Sequence, residues 1–242
     1  MTQNRFFFVH LQKTAGTSLL RRMKRQFGLD AVYPNDSDGD PIARVISVEH
    51  LVDRWRVRRE EIRLITGHFP LCTTELLDED FTTITVLREP VERTLSYLRH
   101  HRTTNDVDRE RTLEQVYEDP FRFHGLIHNH MVKMFSLTTE EMTDGALTRV
   151  AFTPERLERA KKRLAAIDVV GLQGEFDAFC TELVERFGWD LGEPAYINRS
   201  GSEDVAEDFR ARIAHDNALD IELYDFARGL VGAAPASSAG SS

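Results

Sequence analysis

Residues 6–20 of the chain read FFFVHLQKTAGTSLL, and this stretch decides the fold. Its first four residues form a short apolar run of aromatic and β-branched side chains, which is typical of an interior strand of a parallel sheet. Leu19, Leu20, Met23 and Phe27 then recur at helical spacing on one face. The stretch therefore predicts a buried strand, a tight loop and the beginning of a helix.

The loop between that strand and that helix has the composition of an anion site. The first N–H groups of a helix have no partner within it, and together with the helix dipole they attract phosphate or sulfate. Lys13 adds a compact positive charge, and Gly16 lets an oxyanion approach the backbone closely. Thr14, Thr17 and Ser18 add hydroxyl donors, and Thr17 or Ser18 is expected to cap the helix. A simple capped turn would explain Gly16 and Ser18, but neither Lys13 nor the cluster of hydroxyls.

The order of these residues differs from the Walker P-loop, because the lysine precedes the small-residue turn and the first glycine is missing. Residues 13–18, Lys-Thr-Ala-Gly-Thr-Ser, instead resemble the 5′-phosphosulfate loop of sulfotransferases that use 3′-phosphoadenosine 5′-phosphosulfate (PAPS). The similarity is closest to the carbohydrate-type branch, which includes the heparan sulfate 2-O-sulfotransferases and related bacterial proteins. The resemblance implies a catalytic role for Lys13, and it implies that six residues bind the donor: Lys13, Thr14, Ala15, Gly16, Thr17 and Ser18.

A second interior strand is predicted at residues 62–67, where apolar side chains alternate before Gly67 and His68. Ligands collect at the carboxyl ends of parallel strands, so His68 is expected near the Lys13 loop. A single histidine is often structural, but a position at a strand end favours a functional role. The sequence Gly67-His68-Phe69 also resembles the segment in which the carbohydrate enzymes of this family place their catalytic histidine.

A third strand is predicted at residues 81–87, and the proline at position 90 is expected to begin a helix. The sequence LREPVERTLSY at residues 87–97 resembles the family's 3′-phosphate motif, in which a strand-end arginine and a helix serine hold the 3′-phosphate. The resemblance assigns these roles to Arg88 and Ser96. Glu89 stands where the family usually has aspartate, a mild change that leaves both phosphate contacts intact. The alternative for Arg88 is an ion pair with a neighbouring carboxylate.

The second half of the chain adds one strand, at residues 168–172, and a polar loop at residues 196–202. Helices are predicted at residues 113–117, 123–135, 154–167, 176–187 and 215–231. The family carries an Asn/Arg/Ser-containing loop that helps to hold the 3′-phosphate, and this resemblance gives Arg199 that role. An ordinary surface position for Arg199 is an equal alternative.

Composition favours one large domain. The chain has 242 residues, of which 41% are hydrophobic, enough for one sizeable core over residues 1–232. Residues 233–242 are low in complexity and are expected to be a disordered tail. The alternation of strands and helices predicts a three-layer α/β fold with a mainly parallel sheet. That fold resembles the P-loop kinase architecture that sulfotransferases share.

Charge and cysteine content exclude several classes of protein. The net charge is −9, which argues against general nucleic-acid binding. Cys72 and Cys180 make neither a disulfide framework nor a metal set, and both are expected to be inert thiols. His124, His128 and His130 lack a third protein ligand in a known motif, so ordinary surface or substrate-groove histidines are favoured over a metal site.

The amino-terminal sequence predicts neither a signal peptide nor a membrane span, because its apolar run is only a few residues long. Animal relatives in the resembled family are Golgi membrane proteins with an N-terminal anchor. Here the first core strand begins almost at Met1. The sequence therefore favours a cytoplasmic protein of bacterial type.

The function implied by the resemblance is transfer of a sulfuryl group from PAPS to a hydroxyl of an acceptor, expected to be a carbohydrate. Adenosine 3′,5′-bisphosphate (PAP) is then the product. His68 is the expected base, Lys13 stabilises the leaving phosphate, and no metal is required. A nucleotide-dependent kinase is one alternative, but it needs a lysine after the glycine and a carboxylate for magnesium. A non-catalytic nucleotide- or glycan-binding module is the other. The sequence marks neither the acceptor nor the oligomeric state.

Overall fold

The computed structural model describes residues 4–192 and 204–233. Within these ranges one sheet contains the strands Arg5–Val9 (β1), Val32–Tyr33 (β2), Leu64–Gly67 (β3), Phe81–Leu87 (β4) and Val169–Leu172 (β5). The strand order is β2-β3-β1-β4-β5, and each neighbouring pair is parallel. The predicted parallel α/β sheet is confirmed, and β1 is its central strand.

Helices precede or follow each strand. They are Gly16–Phe27 (α1), Ala43–Ile46 (α2), Val48–Arg58 (α3), Thr73–Leu76 (α4), Pro90–Thr104 (α5), Leu113–Tyr117 (α6), Pro120–Arg122 (α7), His130–Ser136 (α8), Pro154–Ala165 (α9), Phe176–Phe187 (α10), Glu207–Asp216 (α11) and Ala218–Ala233 (α12). A π-helical turn covers Phe123–Ile127. Among the described residues, no helix is long and apolar enough to cross a membrane.

Alternate side chains of β1 enter two separate cores, because successive residues of a strand point to opposite faces. Phe6 and Phe8 pack in one core with residues of α1 and α10. Phe7 and Val9 pack in the other with residues of α3, α8, α9 and α12. Helices therefore cover both faces of the sheet, and the predicted three-layer architecture is confirmed.

The helix predicted at residues 123–135 is interrupted. Asn129 adopts a φ of 44° between the π-helical turn and α8, a conformation that asparagine tolerates better than most residues. Side chains from the junction of α11 and α12 bind the backbone N–H groups at this break. Asn217 accepts from Asn129 at 2.9 Å, and Asp220 accepts from Met131 at 3.0 Å and from Val132 at 2.8 Å.

The last predicted helix also differs from the structure. His215 belongs to α11, and a separate helix begins at Ala218 after the buried Asn217. Helix α12 ends at Ala233, one residue past the predicted end of the domain at residue 232. The remainder of the predicted tail, residues 234–242, lies outside the described residues, and so does Arg199.

Candidate functional site

The loop between β1 and α1 contains two non-glycine residues in the left-handed region, with φ of 66° at Lys13 and 69° at Ala15. Such residues cost about 1–3 kcal/mol each and are common at ligand sites. Between them, the buried Thr14 donates its hydroxyl proton to the carbonyl oxygen of Leu11 at 2.9 Å. That proton is engaged inside the loop, which differs from the donor role expected for the Thr14 hydroxyl.

Helix α1 begins two or three residues earlier than the predicted caps require. Its N-cap is Ala15, without a side-chain cap, so the expectation that Thr17 or Ser18 caps the helix is wrong. The left-handed turn at Ala15 already directs the chain into the helix, and the N–H groups of Ser18 and Leu19 donate to the Ala15 carbonyl at 3.0 and 3.2 Å. Thr17 and Ser18 instead lie in the first turn, at the positive end of the helix dipole, where no acidic side chain is present.

Gly16 lies directly against the imidazole ring of His10. A Cβ atom at position 16 would come within 2.0 Å of His10 Nε2 and Cδ2, so the ring excludes any side chain there. The close approach that the structure shows at Gly16 is that of the His10 ring, and the role of Gly16 in binding an oxyanion stays a prediction. His10 is 8% exposed and stacks on Phe8, with ring centroids 5.2 Å apart and an interplanar angle of 9°.

Arg88 follows β4 and reaches the loop that follows β1. Its Nη1 donates to the carbonyl oxygen of Lys13 at 3.2 Å. The Nε atom of Arg88 is buried and has no hydrogen-bond partner within the described part of the chain. Burial lowers the pKa of Arg88, and the nearby carboxylates of Glu89 and Glu92 offset this effect only in part. The structure thus brings Lys13 and Arg88, which belong to different sequence motifs, to one place.

The charges around Lys13 repel one another. Burial and the guanidinium of Arg88 lower the pKa of Lys13, and Lys13 in turn contributes to the lowered pKa values of His10, His100 and His101. Both influences on Lys13 disfavour its positive charge. A bound anion would relieve that repulsion, since an opposite charge within a few ångströms favours the charged form.

Glu89 and Ser96 lie on the segment that follows Arg88. Glu89 caps α5, accepting from the N–H groups of Val91 at 3.1 Å and Glu92 at 2.7 Å, so both carboxylate oxygens are engaged in the fold. Ser96 is half-buried about two turns into α5. It stands four residues before His100, so the two share a helix face. Within the described residues, no hydrogen bond joins Ser96 to Arg88 or Lys13.

His68 follows β3 and is fixed by its neighbours. Its backbone N–H group donates to the carbonyl oxygen of Val45 at 2.7 Å. Its ring Nδ1 lies 2.9 Å from the carbonyl oxygen of His10. Because a carbonyl oxygen can only accept, Nδ1 of the neutral ring carries the proton and Nε2 keeps its lone pair. Burial lowers the pKa of His68, while the bond to the His10 carbonyl raises it by less. Near neutral pH, Nε2 is therefore able to accept a proton.

His10 is the neighbour that sequence reasoning missed. In the register of the sheet, Val9 pairs with Gly67, so the residues after them, His10 and His68, lie side by side. Their ring centroids are 4.8 Å apart. The rule that singled out His68, a polar residue directly after a buried strand, applies equally to His10.

The other histidines and the cysteines of the sequence analysis differ in burial. His124 is exposed on the π-helical turn, whereas His130 is buried in α8. Within residues 4–192 and 204–233, no group of three histidine, cysteine or acidic side chains could hold a metal ion. Burial raises the pKa of Cys72 to about 12 and that of Cys180 to about 11, so neither thiol ionises near neutral pH.

A cluster of buried polar groups surrounds the beginning of α8. Lys133 Nζ donates to the carbonyl oxygen of Gly125 at 2.7 Å, and Arg93 donates to that of Ile127 at 3.1 Å. Burial lowers the pKa of Lys133 to about 7 and raises that of Asp220 to about 6. The sequence carried one signal for this cluster, a lysine within the apolar run at residues 131–137.

Cavity volume does not mark the site. A surface cavity of about 750 Å³ lies between α3 and residues 139–147, and its lining contains none of the predicted site residues. Another, of about 590 Å³, is lined in part by His124, His128 and Arg149. The candidate site is instead defined by the charged and polar groups that converge at the carboxyl ends of β1, β3 and β4.

The fold is similar to that of a solved protein. The structure titled "Crystal Structure of Sulfotransferase from Alicyclobacillus acidocaldarius" matches this chain with a TM-score of 0.51 and 16% sequence identity, over 93% of this chain and 95% of that one. At this identity the similarity shows a shared fold. No family model matches the sequence, and no curated protein matches it significantly.

Proposed function

We propose that the protein transfers a sulfuryl group from PAPS to a hydroxyl group of an acceptor, with PAP as the other product. The observation that carries this proposal is the contact between Arg88 Nη1 and the Lys13 carbonyl at 3.2 Å. Two motifs that resemble the 5′-phosphosulfate loop and the 3′-phosphate motif lie 75 positions apart in sequence, yet they meet at one helix N-terminus. The fold shared with a protein titled a sulfotransferase agrees with this activity.

The residues around the loop bind and orient the donor. Lys13, the first-turn hydroxyls and the free N–H groups of α1 hold the 5′-phosphosulfate, as fits a helix N-terminus without acidic residues. Arg88 and Ser96 hold the 3′-phosphate, and the resemblance of residues 196–202 makes Arg199 a further proposed contact to it. Thr14 and Ala15 shape the loop through their backbone. Lys13 stabilises the charge that develops on the leaving phosphate.

His68 is the base in this proposal. The bond between sulfur and the phosphate oxygen of PAPS breaks, a bond between sulfur and the acceptor oxygen forms, and the acceptor proton moves to His68 Nε2. The hydrogen bond from Nδ1 to the His10 carbonyl supports this role, because it leaves Nε2 unprotonated. Glu89 is less suited, since both its oxygens cap α5. No residue in the scheme requires a metal.

The acceptor is proposed to be a carbohydrate and the protein a cytoplasmic enzyme of bacterial type. The proposal of a carbohydrate acceptor rests on the resemblance of residues 13–18 and 67–69 to the carbohydrate-type branch, which includes bacterial proteins. Release of PAP from PAPS in the presence of a panel of neutral and acidic saccharides measures turnover and identifies the acceptor.

Calorimetry tests the proposal without knowledge of the acceptor. PAP is expected to bind at least tenfold more tightly than ATP, because Arg88 and Ser96 contact a 3′-phosphate that ATP lacks. The reverse order would overturn the proposal and favour a kinase. Tight PAP binding without consumption of PAPS, even with the full panel of acceptors, would favour a non-catalytic binding module.

A further inference from the structure

The side chain of His10 fills the space between the Lys13 loop and His68. On one side its ring meets the backbone of Gly16, at the distance that excludes a Cβ atom. On another side lies the ring of His68, and the centroids of the two rings are 4.8 Å apart. Phe8 closes the third side by stacking. His10 thus touches both the loop proposed to hold the donor and the residue proposed to act as base.

The surroundings of His10 keep its ring neutral. Burial, His68 and Lys13 lower the pKa of His10 well below its ordinary value, in that order of importance. A neutral ring makes no ion pair with a phosphate or sulfate, and a ring with so low a pKa is a weak base. The contacts of His10 therefore suit packing and shielding better than proton transfer.

We propose that His10 is a positioning residue, whose ring sets the spacing between the Lys13 loop and His68 and shields His68 from water. The consequence for the reaction rests on the function proposed above for His68, whereas the packing itself does not. His68 Nδ1 is oriented by the backbone carbonyl of His10, which substitution of the side chain leaves in place. Changes of the ring thus test spacing and shielding alone.

A double-mutant cycle tests the contact with Gly16. Gly16→Ala alone is expected to lower the melting temperature by on the order of 5 °C, because the new methyl group overlaps the His10 ring. In a His10→Ala background the same substitution is expected to be neutral or stabilising, since alanine favours a helix more than glycine. Equal effects of Gly16→Ala in both backgrounds would overturn the proposed packing.

Titration of His68 tests the shielding. Among the residues that the structure describes, His10 at the end of β1 and His130 from α8 are titratable groups that interact electrostatically with His68. The pKa of the His68 ring, followed by NMR, is expected to lie below 6.5 in the wild type and to rise toward 6.5 in His10→Ala, where water reaches the ring. His10→Leu has a similar volume and is expected to keep the pKa low. An unchanged pKa in His10→Ala would overturn the proposal.

Turnover separates positioning from direct catalysis. His10→Ala is expected to lower kcat about tenfold or more with a smaller change in PAP affinity, and His10→Leu is expected to recover most of that loss. If His10→Leu is as slow as His10→Ala while the His68 pKa stays low, the ring nitrogens contact the reactants and His10 is not a positioning residue. Should His10→Ala fail to fold, His10→Asn provides the same comparison with a smaller cavity.

These outcomes are distinct from those that test the proposed function. The melting temperatures and the NMR titration need no substrate, so they remain informative if the wild-type protein consumes no PAPS. Absence of PAPS consumption together with the expected coupling of His10 and Gly16 would overturn the enzyme assignment and leave the packing role intact.

Discussion

Arg88 Nη1 donates to the backbone carbonyl oxygen of Lys13, so the residue after β4 holds the loop after β1. Burial lowers the pKa of both side chains, and the guanidinium of Arg88 lowers that of Lys13 further. Arg88 thereby has two expected effects, one on the shape of the loop and one on a bound 3′-phosphate. Ligands that differ only in the 3′-phosphate separate these effects.

Replacement of Arg88 or Ser96 by alanine is expected to weaken binding of adenosine 3′,5′-bisphosphate far more than binding of adenosine 5′-monophosphate. The expected loss for Arg88→Ala is about tenfold or more, the scale of one charge-assisted hydrogen bond. Calorimetry with both nucleotides gives the comparison, and Arg21→Ala, exposed on α1, is the matched control. Equal losses of affinity for both nucleotides would mean that neither Arg88 nor Ser96 binds the 3′-phosphate.

Lys13→Ala is expected to lower kcat for PAPS consumption by roughly a hundredfold or more while weakening nucleotide binding much less. The reason is that the negative charge on the leaving phosphate, which Lys13 is expected to stabilise, develops fully only in the transition state. Steady-state kinetics and PAP calorimetry give the two quantities, with Lys162→Ala on the exposed face of α9 as control. A Lys13→Ala enzyme of normal activity would exclude the proposed role.

His68→Ala is expected to lower sulfuryl transfer by roughly 10²–10⁴-fold and to leave PAP affinity nearly intact. In the wild type, kcat/KM is expected to rise with pH through an ionisation below 6.5, because burial lowers the pKa of His68 and only the neutral ring accepts a proton. This rise of kcat/KM with pH is expected to be absent in His68→Ala. His215→Ala, whose side chain is 89% exposed, is the control.

Two results would argue against His68 as the base. If His68→Ala keeps both the rate of sulfuryl transfer and the rise of kcat/KM with pH, the base is another group, and His124, His128 and His130 become the next candidates. A variant that loses PAP binding or unfolds would show that His68 supports the end of β3 instead.

Lys133→Met is expected to remove a pH dependence of stability. The pKa of Lys133 is about 7 in the folded protein and close to 10.4 in an unfolded chain, so the unfolded state binds more protons between these values. The free energy of unfolding of the wild type should therefore rise, relative to the variant, from pH 7 to pH 10. Denaturant titrations at several pH values measure the difference, with the exposed Lys162→Met as control. Parallel curves would contradict the burial of a neutralised amine.

The strands were predictable because their apolar runs are short and end abruptly in polar residues. Residues 6–9 and 81–87 are examples, and both belong to strands with buried interiors. Pro90 and Thr153 marked two helix starts correctly, since proline suits the first turn and threonine caps it. These signals are local, so one sequence suffices to read them.

The errors arose where distant side chains decide the local structure. The break at Asn129 depends on Asn217 and Asp220, which lie nearly 90 positions away in sequence. The sequence around residue 129 therefore contains no local signal that predicts it. The N-cap at Ala15 depends on a left-handed residue that is not glycine, which composition does not reveal. The roles of Ser96, Arg199 and the other site residues stay predictions, for which the experiments above are designed.

Helix α8 has a consequence for the order in which the chain folds. All seven of its residues are buried, and its first N–H groups are bound by a carboxylate from α12, the last helix of the described residues. During synthesis, about 90 further residues must therefore be added after α8 begins before Asp220 can bind its N–H groups. Until then an apolar segment is open to solvent. A nascent chain stalled before α12 should accordingly be a target for chaperones, and released chains truncated before Ala218 or after Ala233 should differ sharply in protease resistance.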